Sequence, residues 1–161
     1  MSPTPIQWEA IDALINATAD DDQLAIQWLE DLAKHQHELF GYLVSEENQT
    51  VYTETERFQA LYLMAIIWKA LADQLSDLVL DPETIEAIDA GNWAQYEATV
   101  DYAKLLDDWI DESAEPELLE LLIQGIVEED ELGEENPEAV WGLFLLTKTC
   151  LDALLTLQKH E

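Results

Sequence analysis

Leu61-Tyr62-Leu63-Met64-Ala65-Ile66-Ile67-Trp68 carries no charged side chain, in a 161-residue chain whose formal net charge is -30. A helix apolar on every side has to be surrounded by other helices. This run sits inside a predicted helix from about Glu54 to Leu78. Thr53, with Glu56 three residues on, reads as its capping box. A second stretch, Pro137 to Lys159, behaves in the same way through Trp141, Leu143, Phe144, Leu145 and Leu146. Two such helices predict the centre of an all-α, single-domain bundle of about seven helices, with amphipathic helices packed around them.

Working outward, Leu24, Trp28, Leu32, His35 and Leu39 fall three or four apart and make one stripe on a helix from Asp21 to Phe40. Thr4 before Pro5 and Gln7, Asp20 before Gln23, Asp81-Pro82, Asn92 before Gln95 and Asn136-Pro137 all read as helix starts. Gly91 reads as the stop of a short helix begun at Pro82. Ser45 to Tyr52 and Glu128 to Glu138 read as loops, the first with weak strand propensity at Thr50-Val51-Tyr52. Ile6-Gln7-Trp8 recurs as Ile26-Gln27-Trp28, but no period runs through the chain, so no solenoid is expected.

At 18.3 kDa the chain buries about 70% of its unfolded surface, enough to hold a core without metal or disulfide. It is 48% hydrophobic, which separates its acidity from that of a disordered chain. The single cysteine, Cys150, lies in the apolar run Leu143 to Leu155 and reads as a small buried hydrophobe. Met1-Ser2-Pro3-Thr4-Pro5 has neither a basic nor an apolar leader region, and no run approaches the ~20 apolar residues that span a bilayer. The expected compartment is the cytoplasm.

Thirty-six acidic residues face six basic ones. Six cations give no basic footprint for direct nucleic-acid binding, and an anionic membrane surface would repel the chain. Basic proteins would be attracted, and weak, nonspecific divalent-cation binding is expected. The acids come in base-free stretches, of which Leu105 to Glu138 is the densest, with fourteen. That block nominates Asp107, Asp108, Asp111, Glu112, Glu115, Glu128, Glu129, Asp130 and Glu131 as the interaction surface for a basic partner.

Spread over the ~8,000 Å² such a chain exposes, the acids average about half the charge density of duplex DNA. Mimicry of DNA therefore requires folding to gather them on one side. Scarcity of lysine also fits a high-salt habitat, but large apolar residues are not reduced.

Asp107-Asp108-Trp109-Ile110-Asp111 spells DDxxD, whose i, i+1, i+4 spacing brings three carboxylates toward one side of a helix, a donor set for Mg²⁺. This segment resembles the aspartate-rich motif of helical prenyl-diphosphate enzymes over five residues. Glu83-Thr84-Ile85-Glu86 followed by Asp108-Trp109-Ile110-Asp111 resembles the ExxE…ExxD arrangement of helical nucleoside-triphosphate pyrophosphatases, with Asp in place of Glu in its second half. Either resemblance implies a Mg²⁺-dependent enzyme acting on a diphosphate or nucleotide, with Asp107, Asp108, Asp111, Glu83 and Glu86 as metal ligands. The cations that would hold the phosphates are missing, since no base lies between Lys104 and Lys148.

No other catalytic constellation stands out. His35, His37 and His160 do not follow a Glu by three residues, so the di-iron bundle motif is absent, and there is no HExxH. A calcium loop centred on Gly133 fails, because Leu132 and Ala139 fall at ligand positions. No cofactor is expected, and the leading expectation is a non-enzymatic interaction or regulatory protein, immunity- or antitoxin-like.

Overall fold

The computed structural model describes residues 5–45, 52–128 and 137–158, except the side chains of Asp22, Glu128 and Pro137. Among these residues it is all α. The helices are α1 (Trp8–Ala19), α2 (Asp22–His35), α3 (His37–Leu43), α4 (Glu54–Leu71), α5 (Pro82–Ala98), α6 (Tyr102–Glu112), α7 (Pro116–Leu122) and α8 (Pro137–Leu155). A 3₁₀ turn, Ala72–Gln74, follows α4, and a π-helical turn, Ile123–Glu128, extends α7. The one extended pairing among described residues is a single antiparallel bridge between Leu75 and Gln158. It is reinforced by the Ser76 amide donating to the Leu157 carbonyl at 2.8 Å.

Helix starts follow local chemistry where a cap is strong. The Thr53 hydroxyl accepts from the Glu56 amide at 3.1 Å, and the Glu56 carboxylate accepts from the Thr53 amide at 2.8 Å. Such a reciprocal cap stabilises a helix start by about 1 kcal/mol. Asp81, followed by Pro82 at the first helical position, accepts from the Thr84 amide at 2.7 Å. That bond holds the exposed Asp81 carboxyl below its usual range. At α2 the capping residue is Asp21, not Asp20; its carboxylate accepts from Gln23 at 3.0 Å. α1 begins at Trp8 behind Gln7, so Pro5 does not open it. Thr4, Asn136, and Thr50 and Val51 of the weak strand signal lie outside the described residues.

Further boundaries depart from the sequence reading where tertiary bonds outweigh local propensity. The stretch 21–40 divides at Gln36, which leaves the helical region (φ -132°, ψ 62°). Gln36 is buried; its Nε2 donates to the Leu78 carbonyl at 2.7 Å and its Oε1 accepts from the Leu80 amide at 2.9 Å. α4 ends at Leu71 rather than Leu78: after the 3₁₀ turn, Leu75 is extended and bridges Gln158, and Ser76 donates to Leu157. Gly91 and Asn92 neither stop nor start a helix. α5 runs through both, and Asn92 is buried and bonded to α8.

The core is enclosed around α4 and α8. Leu63 to Trp68 and Ala139 to Leu151 are buried without interruption. Fully burying side chains such as Ile66, Ile67 and Phe144 stabilises by roughly 1.5–3 kcal/mol each. Close approach needs glycine at two places. A Cβ at Gly142 on α8 would lie 2.5 Å from the Tyr52 hydroxyl, and one at Gly125 in the π turn would lie 2.9 Å from Leu63 Cδ1. The π turn's backbone is tied to α4 by Gln59 Nε2, which donates to the Gly125 carbonyl at 3.2 Å. An aromatic group joins α5, α6 and α8: Tyr96 lies 5.1 Å from Trp141 and 5.3 Å from Tyr102, and Trp141 meets Phe144 edge-on at 5.7 Å.

Candidate functional site

Exposed carboxylates stand on every helix but α7. They are Glu9 and Asp12 on α1, Glu30 and Asp31 on α2, Glu38 on α3 and Glu54 on α4. Glu83, Glu86 and Glu97 on α5, Asp107, Asp111 and Glu112 on α6, and Glu138 on α8 continue the set. On the amphipathic α6 the acids lie away from the buried Leu105 and Trp109, as the helical pattern requires.

The few cations are largely committed. Lys104 pairs with Asp108 at 2.8 Å, which raises the Lys104 pKa. Arg57 donates to the Tyr52 carbonyl at 3.0 Å, and Lys69 sits 5.9 Å from the Trp28 ring centre.

Lys148 is removed from the surface altogether. Its side chain is 7% exposed, in the middle of α8. Its ammonium donates to Asp152 at 2.7 Å and to Asn92 Oδ1 at 2.9 Å, and lies 4.4 Å from the Trp109 ring centre. Asn92 Nδ2 donates in turn to Thr149 and Asp152, both at 3.1 Å. Alongside, the Tyr42 hydroxyl donates to Asp89 at 2.7 Å; burial first, then that bond, pushes its pKa up. A buried lysine is tolerated only when paired and hydrogen-bonded, and this one meets both conditions. The network fastens α5 and α6 to α8. Burial likewise raises the Cys150 thiol, Asp89 and Asp152 push it the same way, and it is a core residue.

The nominated acids divide. α6 turns Leu105 and Trp109 inward and Asp107, Asp111 and Glu112 outward, with Asp108 half-buried against Lys104. Glu83 and Glu86 are exposed on α5. Among the described residues no three carboxylate, imidazole or thiol groups are placed to hold a metal ion. The DDxxD segment is thus an outward helix face, and the structure does not bring Asp107, Asp108 and Asp111 together with Glu83 and Glu86. Helix amphipathicity turns Trp109 into the core and leaves Asp107 and Asp111 in water, with Asp108 against Lys104.

Glu115 is a correction of another kind: it is not a surface acid but fully buried. Its Oε1 accepts from the Ile6 amide at 2.7 Å and its Oε2 from Gln158 Nε2 at 3.4 Å. It ties Ile6 and the turn that follows α8 to the start of α7. Burial pushes its carboxyl above the ordinary range, although both bonds pull the other way. Glu128 closes the π turn, and Glu129, Asp130 and Glu131 lie outside the described residues.

Among the described residues, two of the clefts lie beside exposed groups that the sequence does not single out. One, of about 230 Å³, is polar and includes Asp31, His35, Trp68, Asp73 and Asp77. Asp31 Oδ2 accepts from the Trp68 indole at 2.9 Å, and its Oδ1 lies 3.2 Å from His35 Nδ1. The other, of about 370 Å³, is an apolar groove bounded by Thr18, Ala25, Ile26, Leu29, Phe58, Leu61 and Tyr62. Phe58 is 70% exposed and Ile26 45%. The signal for Lys148 was present in sequence, as a lone cation inside an apolar run with Asp four residues on. The groove had none, because an exposed Phe reads like a core Phe.

No family model, no curated protein and no solved structure matches this chain. Among the described residues no helix is long and apolar enough to cross a membrane.

Proposed function

We propose that this is a non-enzymatic, cytoplasmic interaction protein that holds a basic protein partner against its acidic exterior, as a regulator or inhibitor. The observation that supports this reading is the segregation of charge. Carboxylates face water on helix after helix, while Lys148, one of only six cations, is drawn into the core. What remains outside is a field of nearly one sign. Such a field raises the encounter rate with a basic protein and discourages acidic ones. Exposed acids on helices α1 to α6 favour a broad field over the single block from Leu105 to Glu138.

The test is capture by the immobilised chain from a lysate at low ionic strength, beside a polyglutamate control of matched charge. The expected result is a basic protein retained by the chain and not by polyglutamate, released at about 0.5 M salt, where exposed charges are screened within a few ångströms. Identical profiles from chain and polymer would remove the proposal.

A further inference from the structure

We infer that the groove between α1, α2 and α4 seats an amphipathic helix of the basic partner. The helix would lay its apolar side on Ile26 and Phe58 and its Lys and Arg side chains against carboxylates at the groove's edges. The inference rests on the acidic-exterior reading and adds where, and by what chemistry, the partner is held.

The floor of the groove asks for no polar ligand. Thr18 Oγ1 and the Tyr62 hydroxyl already bond each other at 2.7 Å, and Leu29 and Leu61 supply the rest. Its walls carry large apolar side chains left in water, Phe58 above all. Contiguous exposed apolar surface of this kind, rimmed by polar groups, marks interaction sites.

The rim is acidic. Side chains four apart on a helix are neighbours. Glu30 lies four after Ile26 and Glu54 four before Phe58, and both are exposed. The cations of α2 and α4 are fewer than the acids there, and Lys34, four after Glu30, stands beside a rim acid. Arg57 bonds the Tyr52 carbonyl, Lys69 lies over Trp28, and Lys34 stands in the last turn of α2.

Charge selects the occupant. A second copy would bring another -30 against this edge, and an anionic lipid surface would be repelled as well. A cationic helix with apolar anchors at i, i+3 or i+4, and i+7 satisfies the floor and the rim together.

The experiment uses the full chain and two labelled synthetic peptides of about 14 residues. One has leucines at i, i+3, i+4 and i+7 among lysines, and the other has serines in place of the leucines. Binding is read by fluorescence anisotropy at about 0.15 M salt. The leucine peptide should bind about tenfold or more tighter than the serine peptide. Phe58→Asp and Ile26→Asp, each checked for fold by circular dichroism, should erase that advantage.

Leu78→Asp alters a side chain as exposed as Phe58 but outside the groove, adds the same charge, and should leave the advantage intact. Equal binding of both peptides, unchanged by Phe58→Asp, would overturn the groove while the acidic-surface reading stands. Binding of neither peptide would overturn both. A concentration-dependent dimer in sedimentation, abolished by Phe58→Asp, would name a second copy as the occupant and overturn the helix proposal.

Discussion

Lys104–Asp108 on α6 and Lys148–Asp152 on α8 are the same pair of residues at the same i, i+4 spacing, at 2.8 Å and 2.7 Å. On α6 the lysine and aspartate side chains are 69% and 49% exposed; on α8 they are 7% and 29% exposed. The first pair sits in water beside further carboxylates. The second is enclosed by Trp109, Asn92 and Thr149 and couples three helices. Spacing sets which groups meet; the surroundings set what the meeting does for the fold.

Breaking the enclosed pair gives the largest expected effect. Lys148→Ala leaves Asn92 Oδ1 without its donor and Asp152 with Asn92 Nδ2 alone, and should destabilise by about 3 kcal/mol in urea unfolding. That is the low end for a buried pair, because Asp152 keeps part of its hydration. A loss as small as that of a surface residue would show that the network is not coupled to folding.

Glycines sharpen the same contrast. Gly142→Ala places a methyl against the enclosed Tyr52 hydroxyl and should cost about 1–3 kcal/mol despite alanine's better helix propensity. Gly91→Ala on α5 meets nothing within 4 Å and should stabilise by up to about 1 kcal/mol. Opposite signs in thermal melts of the two variants are the expected result.

Glu115 carries the comparison to carboxylates. Its folded pKa is raised, so the native state holds this proton more tightly than the unfolded chain. Its contribution is greatest below the ordinary carboxylate range and is lost as pH rises through the raised folded value. Unfolding free energies of the wild type should therefore fall relative to those of Glu115→Gln as pH climbs through that window. A constant difference between the two proteins would contradict the burial argument.

The smallest effect belongs to the exposed pair. Lys104→Ala should leave the melting temperature within error of wild type, at low salt and at high salt alike, since exposed pairs lose in side-chain entropy what they gain in attraction.

Legibility in the sequence followed the range of the forces. The Thr53–Glu56 box and the Asp81-Pro82 cap are closed within three residues, so their chemistry was readable in a row of letters. Gly91 and Asn92 were misread because a local rule competed with a bond reaching α8, and the bond prevailed. The break at Gln36 has no Gly or Pro to announce it; it is made by the Leu78 carbonyl and the Leu80 amide. Among the nominated site residues, Asp107, Asp111 and Glu112 lie on the surface as their amphipathic helix requires. Glu115, from the same acidic block, does not, because its partners Ile6 and Gln158 are distant in sequence.

The sequence by itself determined the all-helical class, the two apolar stretches that fill the centre and the overwhelming negative charge. Each of these follows from periodicity, capping or counting, which act within a few residues or on the chain as a whole. Only the tertiary structure decided which acids are buried, which lysine leaves the surface, and that Phe58 and Ile26 stay in water. Those outcomes depend on which helices meet, and packing is a property of pairs that no single helix encodes.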